Sequence, residues 1–258
     1  MEKIRRVEKH GLRHYEVTSK DGEVIGVYPS ITTVLGETSD KSGLERWKKR
    51  VGEEEAKRIG ELSMNRGTVM HRLIELYKPL GGSKAEKLEM LKIIAKDDKE
   101  VNQFDDQENG LLWKEEGWKM FMKFYFNSSQ YFDRVEEVIE AETFLWSVKG
   151  GGYAGTVDNI SKMSDGKVLV IDYKNSRKPK REEWIQDYFV QGSAYFIAFW
   201  ERHGIKPDGV EIWIANEVDS IPQTFSLTAK DVKYYFKEFQ SRLAKFKEMY
   251  DGAEHSPF

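Results

Sequence analysis

The sequence predicts an α/β (α+β) fold, a β-sheet flanked by helices, with further helices in the N-terminal and middle regions. Three observations predict it. Apolar residues recur at helical spacing through most of the first 137 positions, the period changes to two at Val138 for three consecutive strand patterns, and helical spacing then returns in alternation with two short strands. With 258 residues, 39% of them hydrophobic, the chain can bury one sizeable core. Residues 1–258 are therefore expected to form a single domain, 1–137 supplying a hairpin and helical region and 138–258 the sheet with its flanking helices.

In chain order, Tyr15 to Val17 and Val24 to Val27 surround Lys20-Asp21-Gly22 and read as a hairpin with an Asp-Gly turn. Pro29-Ser30 starts a helix. Helical spacing then runs from Ile31 to about Tyr77, with Gly43, Gly60 and Gly67 as expected breaks between shorter helices. Gly81-Gly82-Ser83 leads into a helix containing Leu88, Leu91, Ile94 and Ala95, and the aromatic-rich run Trp113 to Phe126 reads as a buried helix. Strands are expected at Val138 to Ser147, Tyr153 to Met163 and Lys167 to Tyr173. Residues 182–202 are helical, Val210 to Ala215 and Thr224 to Leu227 are strands, and Val232 to Tyr250 is an amphipathic helix facing inward through Tyr235, Phe236, Phe239, Leu243 and Phe246.

Composition narrows the chemistry. There is no cysteine, which removes disulfides, thiolate metal sites and cysteine nucleophiles, so any metal must be held by oxygen or imidazole. The longest apolar stretch, Ala194 to Trp200, falls far short of the roughly 20 residues of a membrane-spanning helix. The first ten residues mix Lys, Arg and Glu, unlike a signal or transit peptide, so a cytoplasmic protein without membrane association is expected. A net charge of −3 supplies no global attraction to nucleic acid, which leaves local basic runs: Arg46, Lys48, Lys49 and Arg50 around Trp47, and Lys174, Arg177, Lys178, Lys180 and Arg181 after an apolar strand. Trp47 is either a base-stacking platform or a core anchor.

The second run follows the most informative segment. In Val170-Ile171-Asp172-Tyr173-Lys174 the side chains alternate, so an acid and a base share one face while Leu169, Ile171 and Tyr173 share the other. The preceding strand carries Gly155-Thr156-Val157-Asp158, and the turn Ser164-Asp165-Gly166 sets the register. A three-residue loop with Gly166 left-handed places Asp158 opposite Asp172; a two-residue Asp-Gly turn pairs Asp158 with Tyr173 and separates the carboxylates. Two adjacent carboxylates call for a cation, and Mg²⁺ or Mn²⁺ suits oxygen ligands. His71 lies at the edge of an apolar stripe of Leu73, Ile74 and Tyr77, as a ligand or as a satisfied core histidine. Gln191 and Tyr195, one helical turn apart, border the same region or form the polar rim of a packing face.

Taken in order, His71, Gly155-Thr156-Val157-Asp158, Ile171-Asp172-Tyr173-Lys174 and Gln191 with Tyr195 resemble the PD-(D/E)XK nuclease superfamily in its RecB-like branch, and within it the mitochondrial genome maintenance exonuclease family. The likeness extends to Pro29-Ser30-Ile31-Thr32-Thr33-Val34-Leu35, Leu44-Glu45-Arg46-Trp47-Lys48 and Lys174-Asn175-Ser176-Arg177-Lys178-Pro179-Lys180. Residues 80–135 and those after about 205 match little.

The resemblance implies a restriction-endonuclease-like core with a central mixed sheet and a metal-dependent DNA exonuclease acting on single strands or free ends. It implies His71, Asp158, Asp172 and the Tyr173 carbonyl as ligands of Mg²⁺ or Mn²⁺, with Lys174 orienting the attacking water. Gln191 and Tyr195 would support the site or touch DNA, and Glu142 matches loosely. Ser176 would contact a phosphate, and Arg177, Lys178, Trp47, Arg46, Arg66 and Ser30 complete the expected DNA-binding set. The superfamily's name-giving proline is absent before Asp158, and the missing transit segment and cluster-binding cysteines favour a prokaryotic, viral or phage setting. A monomer is expected; a structure-selective endonuclease and a non-cutting DNA-binding module are the alternatives.

Overall fold

The computed structural model of the protein describes residues 2–250. Its N-terminal segment is a three-stranded antiparallel sheet of β1 (Lys3–Lys9), β2 (Leu12–Thr18) and β3 (Val24–Pro29). The hairpin read from the sequence is β2 with β3. β1 went unread because Ile4 and Val7 are three apart among charged residues, and pairing to β2 through a His10-Gly11 turn, both residues at positive φ, is what makes it a strand.

Five helices follow: α1 (Ile31–Thr38), α2 (Ser42–Val51), α3 (Glu53–Tyr77), α4 (Lys84–Asp97) and α5 (Gly110–Phe126). The breaks fall at residues 39–41 and at Gly52, whose φ of +90° turns the chain between α2 and α3. The expected breaks at Gly43, Gly60 and Gly67 are corrected: all three lie inside helices. Gly67 serves close approach instead, since a Cβ there would stand 2.5 Å from Asn175 Nδ2.

The central sheet has the order β4 (Val135–Ser147), β5 (Tyr153–Met163), β6 (Val168–Ser176), β7 (Gly209–Asn216), β8 (Gln223–Thr228). β6 and β7 are parallel and the other neighbours antiparallel, which makes the sheet mixed. α6 (Gln186–His203) is the crossover between the parallel pair, and α7 (Ala229–Tyr250) follows β8. Alternation along β6 divides the core. Val170 faces a layer built from Phe189, Phe196 and Phe199 of α6 with Phe239, Leu243 and Phe246 of α7. Leu169, Ile171 and Tyr173 face Leu73 of α3 and Phe121 and Phe124 of α5. Among the described residues, no helix is long and apolar enough to cross a membrane.

Between β5 and β6 the chain forms the three-residue loop. Met163 N–H donates to Lys167 O at 2.7 Å, Gly166 N–H donates to Met163 O at 2.8 Å, and Gly166 has φ +85°. The register continues through Lys162↔Val168 to Asn159↔Ile171 and stops there. Beyond it β5 stays with β4, whose pairing runs on to Ser147↔Tyr153, while β6 stays with β7 as far as Ser176↔Asn216. The sheet therefore splits into a fork that opens at Asp158 and Asp172.

Candidate functional site

Opening the fork removes ladder partners from the next residues, and side chains replace them. Asp158 Oδ2 accepts the Tyr173 N–H at 2.8 Å, so the carboxylate that enters the fork also ties its two arms together. On β4, Glu142 falls across from Asp158, between the pairs Ala141↔Asn159 and Thr143↔Val157. Its φ of +47° puts a non-glycine residue in the left-handed region, a strain of about 1–3 kcal/mol that the surrounding pairing must hold. From above, α3 lowers His71, with Nδ1 3.6 Å from Asp158 Oδ2 and the ring edge-on to Tyr173.

One ligand atom each from His71, Glu142 and Asp158 lies within 4.8 Å of the other two. Two oxygen donors and an imidazole at that separation fit a divalent cation with metal–ligand bonds of about 2.0–2.6 Å. The electrostatics agree. Burial, reinforced by Asp158, pushes the Glu142 carboxyl up to about 8. Burial also holds His71 below its ordinary value against the opposing pull of Asp158, which leaves a neutral imidazole free to donate. Carboxylates crowded into a half-buried fork need a counter-charge.

Asp172 and Lys174 share the α6 face of β6. Asp172 Oδ2 forms an ion pair with Lys174 Nζ, and Oδ1 accepts a hydrogen bond from Gln191 Nε2 at 3.2 Å. Burial raises Asp172 to about 7, with Lys174 opposing and Asp158 adding to the rise. Burial alone would lower Lys174, but Asp172 and Asp158 outweigh it and keep the ammonium charged. Behind Gln191, Tyr195 is buried against Gly155, where a Cβ would come 3.0 Å from its ring. Both α6 residues are thus enclosed, an arrangement that suits support of Asp172 rather than contact with a polymer.

The fork therefore gathers His71, Asp158, Asp172, Tyr173 and Lys174, and adds Glu142, whose only sequence signal was a loose match on an alternating strand. The clustered trio holds Glu142 where Asp172 was expected, because Asp172 turns to Lys174 and Gln191. A groove of about 420 Å³ runs alongside, lined by Gly67, Thr68, His71, Glu75, Glu142 and Asn175.

Three of the expected DNA contacts are corrected. Arg66 is 0% exposed: its Nε donates to Asn175 Oδ1 at 2.6 Å and its guanidinium pairs with Glu217, so it locks α3 to the ends of β6 and β7. Ser30 is buried at the start of α1, with Oγ 3.0 Å from Thr32 Oγ1. Ser176 is buried too, and its hydroxyl donates to the Lys178 carbonyl at 2.8 Å. Arg46, Arg177 and Lys178 are exposed. Trp47 is half-buried on α2, a helix with no buried residue, and belongs to none of the apolar clusters, so it is not a core anchor.

A mixed sheet that forks over carboxylates, a lysine and an imidazole has the donor set of a divalent-metal hydrolase. Sequence comparison gives the family: a profile of the PD-(D/E)XK nuclease superfamily matches residues 43–256, and the chain belongs to that superfamily of phosphodiester hydrolases. Among solved structures, it is similar to a Eubacterium rectale protein designated provisionally as an exonuclease, at 13% identity and a TM-score of 0.39, over 69% of this chain and 80% of that one. It is also similar to the structure of SSO0001, at 16% identity and a TM-score of 0.31, over 55% and 70%. No curated protein matches the sequence.

Proposed function

We propose that this protein is a metal-dependent DNA exonuclease that prefers single-stranded ends and works as a single nuclease domain. The observation that carries the reading is the fork, in which the donor trio of His71, Glu142 and Asp158 adjoins the ion pair of buried Asp172 with half-buried Lys174. His71, Glu142 and Asp158 would hold the cation, with Asp172 and the Tyr173 carbonyl closing the set from β6. Bound Mg²⁺ or Mn²⁺ would supply Lewis-acid charge to the scissile phosphate.

The protein's own groups do the rest. In hydrolysis a water oxygen bonds to phosphorus while the bond to the leaving oxygen breaks, and negative charge grows on the phosphoryl oxygens. Lys174 is the cation placed to orient that water and offset the growing charge, in surroundings where low dielectric strengthens its effect. Asp172 fixes the direction of the Lys174 ammonium, and Gln191 fixes Asp172.

Exonuclease action and preference for single strands rest on the likeness to the RecB-like branch and the mitochondrial genome maintenance exonuclease family. α2 supports them, offering exposed Arg46, Lys49 and Arg50 beside half-buried Trp47. The test is to incubate end-labelled single- and double-stranded DNA, and a circular single strand, with Mg²⁺ or Mn²⁺. Linear single strands should shorten to ladders while the circle survives. Cleavage of the circle at a comparable rate replaces exonuclease with endonuclease, and absence of all cleavage removes the catalytic reading.

A further inference from the structure

α3 ends at Tyr77, and the next residue, Lys78, closes its last turn through an N–H donated to Ile74 O at 3.1 Å. A lysine at a helix C-terminus ordinarily extends its ammonium into water. Lys78 instead folds back toward the fork. Its Nζ lies 3.5 Å from the Asp158 carbonyl oxygen and 5.4 Å from the centre of the Tyr173 ring. The charges it faces are Glu142, Asp158 and Glu75. Among the described residues it makes no contact ion pair, so its charge acts on the cluster as a whole rather than on one carboxylate.

This position matters for a site that takes a dication. The Lys78 ammonium beside the donor trio offsets the Asp158 carboxylate when no metal is bound, and it repels a divalent ion that enters. Nothing in the hydrolysis described above uses Lys78. We propose that Lys78 is a resident counter-charge of the metal cluster: it offsets the charge of Asp158 in the empty protein and lowers the affinity of the site for divalent cations. The proposal rests on the reading of His71, Glu142 and Asp158 as metal-holding residues. It places Lys78 as a positioning and affinity-setting residue, not a catalytic one.

The test is titration of the full-length protein with Mg²⁺ and with Mn²⁺ in the absence of DNA, by calorimetry and thermal shift. Wild type is compared with Lys78→Gln, Lys78→Arg and Asp158→Asn. Lys78→Gln keeps a donor for the Asp158 carbonyl but loses the charge, and it should bind Mg²⁺ about tenfold more tightly, as expected for removing one positive charge near a dication in a partly solvated site. The Lys78→Gln protein should also melt lower in chelator and gain more from Mg²⁺ than wild type does. Lys78→Arg should bind within about twofold of wild type, because the charge remains.

A merely structural role predicts weaker binding from any disturbance, so tightening is the discriminating sign. Equal or weaker binding by Lys78→Gln, with wild type binding and Asp158→Asn not binding, overturns the role of Lys78 and leaves the metal site standing. Absence of saturable binding in wild type overturns both. If Lys78→Gln fails to fold, Lys78→Met is read by the same criteria.

Discussion

At the scale of single residues, the fork is a balance of charges. Asp172 is buried, Lys174 is half-buried, and each is the other's nearest counter-charge, so removing one should cost up to about 3 kcal/mol, while removing both together is less costly. Asp172→Asn and Lys174→Met should each lower the unfolding midpoint and cut nuclease activity by at least about a thousandfold. The double variant should recover much of the stability and none of the activity. Urea melts alongside DNA cleavage read both, and a stable double variant with restored cleavage would remove the pair from the chemistry.

Protonation gives a second expectation at this scale. Folded Glu142 holds its proton up to about 8, well above an unfolded glutamate, so the empty protein loses stability as pH rises from about 4.5 through that range. Cation binding removes the penalty and competes with the proton. The Mg²⁺-induced rise in Tm should therefore be small at pH 5 and large at pH 8. Equal shifts at both pH values would contradict the assignment of Glu142 to the cluster.

At the scale of elements, α3 is the part that must be held most firmly, because it carries His71 over a fork built by the sheet. Two glycines set its distance from its neighbours. A Cβ at Gly67 would stand 2.5 Å from Asn175 Nδ2, and that amide cannot swing away freely because Arg66 and Ser63 hold it. A Cβ at Gly117 of α5 would stand 2.5 Å from Val69 Cβ and 3.0 Å from the Arg66 carbonyl on α3. Alanine favours helices over glycine, yet both Gly67→Ala and Gly117→Ala should destabilise, by about 1–3 kcal/mol through overpacking. Gly67→Ala should also weaken Mg²⁺ binding, since it pushes α3 away from β6. Chemical denaturation and metal titration check the pair, and a stabilised Gly67→Ala protein would show that the close approach is slack.

At the scale of the whole molecule, the net charge of −3 gives no global attraction to DNA, so attraction has to be local, and the proposal places it on α2 and the segment after β6. Replacing Arg46, Lys49 and Arg50 together by Glu should weaken single-stranded DNA binding more than tenfold at low salt and flatten its salt dependence, with the Tm little changed because these residues are exposed. Binding that keeps its affinity and salt slope after this change would place the DNA path elsewhere.

Much of this was legible in order along the chain. Alternation in Val170 to Lys174 put Asp172 and Lys174 on one face, whereas Ser164-Asp165-Gly166 allowed two loops and the structure has the three-residue one that sets the register of Asp158. The shared face is a local fact, fixed by the pleat, while a left-handed glycine suits either loop. Apolar periodicity likewise located the sheet and α4 to α7, because it reports which face of an element is buried. What the sequence left open were relations between distant segments. Whether Gly67 breaks a helix or admits a neighbour depends on Asn175, more than a hundred residues away, and whether Arg66 meets DNA or a carboxylate depends on Glu217. Glu142 entered the site through a bulged strand whose irregular backbone has no periodic signature. Local spacing thus marked β6 as a strand carrying an acid and a base on one face, and the ordered resemblance supplied the class of chemistry proposed for it. Only tertiary packing decided which charges meet at the fork, because Coulomb and contact energies depend on distances that long-range pairing alone creates.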